Sequence, residues 1–186
     1  MGNDALRLGL ADHFGWTVAV TASADHQVVD RRRIELVEPD VTAAPIHYES
    51  ARLDDTATAK LVAEVRASVV RAASAGLDEL AADLPGPIAS MSLRALPADF
   101  PTDIAVLRHP PYESRADAVM YREVLVELAR ARGWDVHFYL AKDVLGQAAV
   151  VLGDRTDAVL DGPRAALGPP WTKDHKMALA ATVLAG

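Results

Sequence analysis

Cysteine is absent from the 186 residues, which removes disulfides, thiolate zinc sites and thiol nucleophiles together. Any metal held here has only oxygen and imidazole to bind. No apolar run approaches the ~20 residues that a membrane-spanning helix needs, and the opening MGNDALRLGL lacks the basic-then-apolar order of a secretory leader. The expected setting is therefore cytoplasmic, with no membrane partner. Positive charge is short as well: the net charge is −7, so no global field draws a phosphate backbone, and any nucleic-acid contact rests on a local patch. The basic run Arg31 to Arg33 falls in a strand pattern, where successive side chains alternate faces, so it does not make a three-residue patch. The GxSxG, P-loop, HExxH and dinucleotide fingerprints are missing, as are repeats and low-complexity tracts. What remains is a chain 51% hydrophobic, of a length that fits a single domain over 1–186.

Within it the apolar period changes in a readable order. LRLGLAD (Leu6 to Asp12) and WTVAVTA (Trp16 to Ala22) read as paired strands with His13 to Gly15 between them. After the turn SADH, the stretch Gln27 to Glu38 alternates, with Ile34 and Leu36 facing a core, so the chain opens as a three-stranded meander. Asp54, Asp55 and Thr56 offer N-caps for a helix carrying Leu61, Val65 and Val69, with Gly76 as its break or C-cap. IASMSLRALP (Ile88 to Pro97) fits either a strand or an irregular connection. Asp103 to His109 is apolar on both alternating faces between prolines, which predicts a central strand. Ser114 and Asp117 have capping-box spacing for a helix with Met120, Val124 and Leu128, ending at Gly133. Trp134 to Ala141 reads as a further strand, KDVLGQAAVVLG as weakly helical, DGPRAALGPP as a loop, and Thr172 as the cap of a closing helix.

A meander followed by helix, strand, helix, strand, helix is the element order of the ribonuclease H-like fold: an α/β layered mixed sheet of five strands with helices on both faces. Flavodoxin-like and Rossmann-like sheets begin instead with a βαβ unit. This reading stands on Asp103 to His109 as its mid-sheet strand.

The stretch TDIAVLRHPPYESRADAVMYREVLVELARARGWDVHFYLAKDVLGQA, the strand pair Leu6 to Ala22 and the closing KDHKMALAAT together resemble RuvC-type Holliday-junction resolvases in layout. The resemblance implies two-metal phosphodiester cleavage, in which carboxylates hold Mg or Mn to generate a hydroxide and stabilise the leaving oxygen. It places the first-strand acid at Asp12, or at Ala11 one residue earlier. The mid-sheet acid falls at Leu107, and the closing pair at Asp174 and Met177. Neither Leu107 nor Met177 is a ligand for these hard cations, so the implied site is degenerate, with Asp12 and Asp174 its remaining catalytic or metal-binding acids.

Asp174 also suits the first turn of a helix capped by Thr172, where a carboxylate is worth about 0.3–1 kcal/mol against the dipole. Asp12 equally suits local backbone bonding at a strand end. Arg108 and His109 at the end of the expected central strand, with His13 beside Asp12, would complete a pocket at the carboxyl edge of the sheet. His175 and Lys176 are expected on the solvent face, and Trp134 and Trp171 in the core. Two functions follow from this set. One is a ribonuclease H-like domain that binds a partner or ligand without cutting, the candidates being nucleic acid, a protein or a second copy of the chain. The other is a Mg- or Mn-dependent nuclease with a rearranged set of Asp12, Asp174 and one or more of His13, His109 and His175.

Overall fold

The computed structural model describes residues 5–186; the first residues of the leader reading lie outside that range. β1 (Leu6–His13) and β2 (Trp16–Ala22) form a hairpin closed by Phe14 and Gly15, the glycine taking the φ of +81° that the tight turn needs. β3 (Val28–Glu35) pairs antiparallel with β2. The chain then passes through a short π-helical turn (Pro45–Glu49) into α1 (Asp55–Asp83), capped by the Asp54 carboxylate on the Ala57 N–H. β4 (Ile88–Arg94), α2 (Ile104–Leu107), α3 (Glu113–Ala131), β5 (Asp135–Tyr139), α4 (Val144–Leu152), α5 (Thr156–Leu160), α6 (Gly162–Leu167) and α7 (Lys173–Leu184) follow.

The strand order is β3-β2-β1-β4-β5, with β4 parallel to β1 and β5 parallel to β4. Only β2 runs against the others, and helices cover both faces: the ribonuclease H-like layout. One face carries Leu8, Leu10, Met91 and Leu93 against Val69, Leu77, Tyr121 and Leu125 of α1 and α3. The other carries Ala11, Val18 and Val20 against α7 and α4. Each buried Leu or Val contributes about 1.5–3 kcal/mol by leaving water.

Several elements differ from the sequence expectation. Asp103 to His109 is not the central strand but the exposed helix α2, started by the Asp103 carboxylate on the Ala105 N–H. The slot beside β1 is filled instead by Ile88 to Arg94, so the fold survives the loss of the strand on which its reading stood. Gly76 does not end α1, which runs straight through it. A Cβ there would sit 2.5 Å from Cγ2 of Ile34, so this glycine admits β3 against the helix. DGPRAALGPP is no loop for most of its length, since α6 occupies it.

Asp117 caps no helix of its own. It is 1% exposed and accepts the Ile46 and His47 N–H groups at 3.1 and 2.9 Å, fastening the π-helical turn onto α3. Burial pushes its carboxyl up from the ordinary value, against the pull of those two bonds. Asp117→Ala leaves both N–H groups without an acceptor and is expected to cost about 2 kcal/mol. Urea denaturation checks this, with Asp117→Asn, which keeps one acceptor, losing less.

Candidate functional site

At the carboxyl ends of β1 and β4 the pleat decides what meets what. Leu8, Leu10 and Asp12 share the face toward α1 and α3; Gly9, Ala11 and His13 share the face toward α7. Of the two first-strand alternatives it is therefore Ala11, with no oxygen to offer, that faces the closing helix. Asp12 points the other way, 3% exposed, and its Oδ2 accepts a 2.8 Å bond from Nε of Arg122 on α3.

Asp174 stands in the first turn of α7. Its Oδ2 lies 3.0 Å from Nε2 of His13, and its Oδ1 lies 3.8 Å from Nη2 of Arg94, the last residue of β4. Arg94 also donates from Nη1 to the Asp12 carbonyl at 2.8 Å, and its Nε is 4.0 Å from Asp12 Oδ1. One guanidinium thus spans the sheet edge between carboxylates on opposite faces. The two acids that the resemblance implies, Asp12 and Asp174, have a cation between them.

The His13 ring is fixed from a second side. It stacks on Trp16 at 4.1 Å and 12°, and the Arg33 guanidinium lies 4.0 Å over the same indole from the β3 side. Tyr139 closes the floor, donating to the Leu10 carbonyl at 2.7 Å; burial pushes its phenol far above the ordinary value, so it stays protonated.

Arg108 and His109 do not join this cluster. Because α2 replaced the expected strand, Arg108 instead secures the start of α1, bonding Asp55 at 2.7 Å and the carbonyls of Ser50 and Leu53, while His109 is exposed. His175 is not on the solvent face. It is 7% exposed and reaches back so that its Nδ1 accepts the Thr172 N–H at 3.2 Å, serving as a histidine version of the reciprocal cap. Lys176 pairs with Asp161, and Trp171 is buried with its indole N–H on the Leu160 carbonyl at 2.8 Å. Met177 is core, 4% exposed.

Two divalent cations need several converging oxygens. Among the described residues no group of three or more His, Asp or Glu side chains is placed to hold an ion. Asp12 Oδ1 is buried without a hydrogen-bond partner, yet its near neighbour across the gap is the Arg94 guanidinium, not a second carboxylate. The residues present do not fit a metal pair. Arg94 and Arg122, which the sequence reading missed, balance the charge of both acids.

No family model and no curated protein matches the chain. Among solved structures, T. thermophilus RuvC in complex with a Holliday junction substrate is similar over 96% of this chain and 90% of that one, at 11% identity and a TM-score of 0.48. No helix among the described residues is long and apolar enough to cross a membrane.

Proposed function

We propose that this chain is a ribonuclease H-like domain that has given up two-metal phosphodiester cleavage and acts by binding a partner or ligand. The observation that carries the reading is Arg94: at the end of β4, where the resemblance calls for an acid beside the first strand and closing helix, a guanidinium contacts both Asp12 and Asp174. A fixed side-chain cation there leaves neither the free carboxylates nor the favourable potential that a divalent ion needs.

The second reading, a nuclease with a rearranged set, has one observation in its favour. His13 Nε2 and Asp174 Oδ2 at 3.0 Å make a nitrogen–oxygen pair of the kind Mn or Zn accepts. Calorimetric titration with manganese and magnesium, followed by incubation with labelled junction, duplex and single-stranded DNA and RNA, separates the two. The expected result is no saturable metal binding and no metal-dependent cleavage, whether or not a nucleic acid is bound. Turnover that requires metal and disappears in Asp174→Asn would establish the second reading.

A further inference from the structure

Between β2, β3 and the start of α7 lies an open cavity of about 530 Å³, lined by Trp16, Val18, Arg31, Arg33, Asp174 and His175 among others. It adjoins the charge cluster at the carboxyl edge, sharing Asp174 with it and, through Trp16 and Arg33, the wall against which His13 stacks. Its volume lies within the range of sites that take small organic ligands.

The charges around it do not cancel. Arg32 pairs with Asp30 and Asp83, and Arg33 with Glu35. Arg31 alone of the three has no carboxylate partner among the described residues. Its terminal nitrogens donate to four main-chain carbonyls, Nη1 to Gly168 at 2.9 Å and to Pro170, Nη2 to Leu167 at 2.8 Å and to Pro169 at 3.4 Å, which leaves the Nε–H as its donor toward a ligand. Those acceptors hold the guanidinium in place without neutralising it, and its Nε–H has no partner among the described residues. The acid on the cavity wall, Asp174, is already engaged by His13 and Arg94.

A second donor waits beside it. His175 is more than nine-tenths buried, and its Nδ1 accepts from the Thr172 N–H, so the neutral ring carries its proton on Nε2, for which no partner exists among the described residues. Burial and the Arg31 charge both push this imidazole below its ordinary pKa, so at neutral pH it is a hydrogen-bond donor without being a cation. The first turn of α7, twelve residues long, adds the positive end of its dipole and the N–H groups of Lys173 and Asp174, the His175 N–H being taken by the Thr172 side chain.

We propose that this cavity is a binding site for a small phosphate monoester, with the phosphate set between Arg31, His175 Nε2–H and the first turn of α7, and the organic remainder in the volume bounded by Trp16 and Val18. A lone phosphate is far smaller than the cavity, which is why a monoester rather than the free ion fits it. The site holds whether or not the neighbouring cluster cuts nucleic acid, so metal-dependent cleavage would overturn the proposed function and leave this site standing.

The test is calorimetry on the full chain with three probes: inorganic phosphate, adenosine monophosphate and adenosine. Phosphate is expected to bind saturably with a Kd on the order of 1 mM, the monophosphate about tenfold more tightly, and adenosine not at all. Arg31→Met and His175→Gln should each weaken the monophosphate about tenfold, with circular dichroism confirming that the variants remain folded. Should Arg31→Met release the 167–170 segment and lose its fold, His175→Gln carries the test alone. The site is overturned if neither phosphate nor the monophosphate binds saturably up to about 10 mM, if adenosine binds as well as its monophosphate, or if the folded variants bind like the wild type.

Discussion

Gly9→Ala is expected to lower stability by about 3 kcal/mol and the melting temperature by roughly 6–12 °C. A Cβ on Gly9 would stand 1.9 Å from the carbonyl oxygen of Ala178 and 3.1 Å from Cγ2 of Thr182. The first of these is backbone inside a helix, so it cannot rotate aside as a side chain does; α7 itself has to lift from β1. That helix packs through Ala178, Ala181 and Thr182 directly onto the strand, and its displacement would also break the His13–Asp174 bond at its first turn. Gly146→Ala is the control. It lies exposed on α4 with nothing within 4 Å of an added Cβ, so relief of chain entropy is expected to raise stability by about 0.4–1 kcal/mol. Equal melting temperatures for Gly9→Ala and wild type would mean that α7 does not rest on β1 as closely as described.

The same contact explains what could and could not be read in the sequence. β1 to β3, α1 and α3 announce themselves because their apolar residues recur at two or at three to four positions, and each such face is buried where that period puts it. β4 does not. Its positions toward α7 are small and polar, Ser92 donating to the Ala181 carbonyl at 3.2 Å, so close helix packing hides the apolar alternation that marks a strand. IAVL imitates that alternation, but with Pro101 before it and Pro110 after it the segment closes as one helical turn on the surface.

The site suffers more than the fold from this gap. Once the mid-sheet strand is placed at 103–109, its terminal residue is taken to be Arg108 or His109, and the Arg94 that occupies the edge goes unseen. Arg94 and Arg122 stand 82 and 110 residues from Asp12, and no local spacing links them. What the sequence does hold is the alternation itself: counting from Leu8 and Leu10 puts Asp12 on the α3 face and Ala11 on the α7 face. A correct strand assignment for IASMSLR would have put an arginine, not an acid, beside them.

Asp12→Asn is expected to destabilise the protein by about 3 kcal/mol, and the sign of that change tests what the residue is for. In a metal site without its ion, carboxylates repel one another, and removing one relieves strain and raises stability. Here Asp12 faces two guanidiniums. Its side chain is 2% exposed, that of Arg122 16%, and that of Arg94 22%, so the amide variant leaves the largely buried Arg122 with no carboxylate partner among the described residues and Arg94 with Asp174 alone at 3.8 Å. Taking one member from a fully buried ion pair costs about 3–5 kcal/mol, and the residual exposure of both arginines puts this case at the low end. The double variant Asp12→Leu with Arg122→Met removes both members of the closer pair, and since apolar replacement of a whole buried pair is often neutral, it should recover most of the loss. Urea denaturation of wild type, both single variants and the double variant closes that cycle. If Asp12→Asn proves more stable than wild type, the arginines are not what Asp12 serves, and the carboxylate belongs to an ion after all.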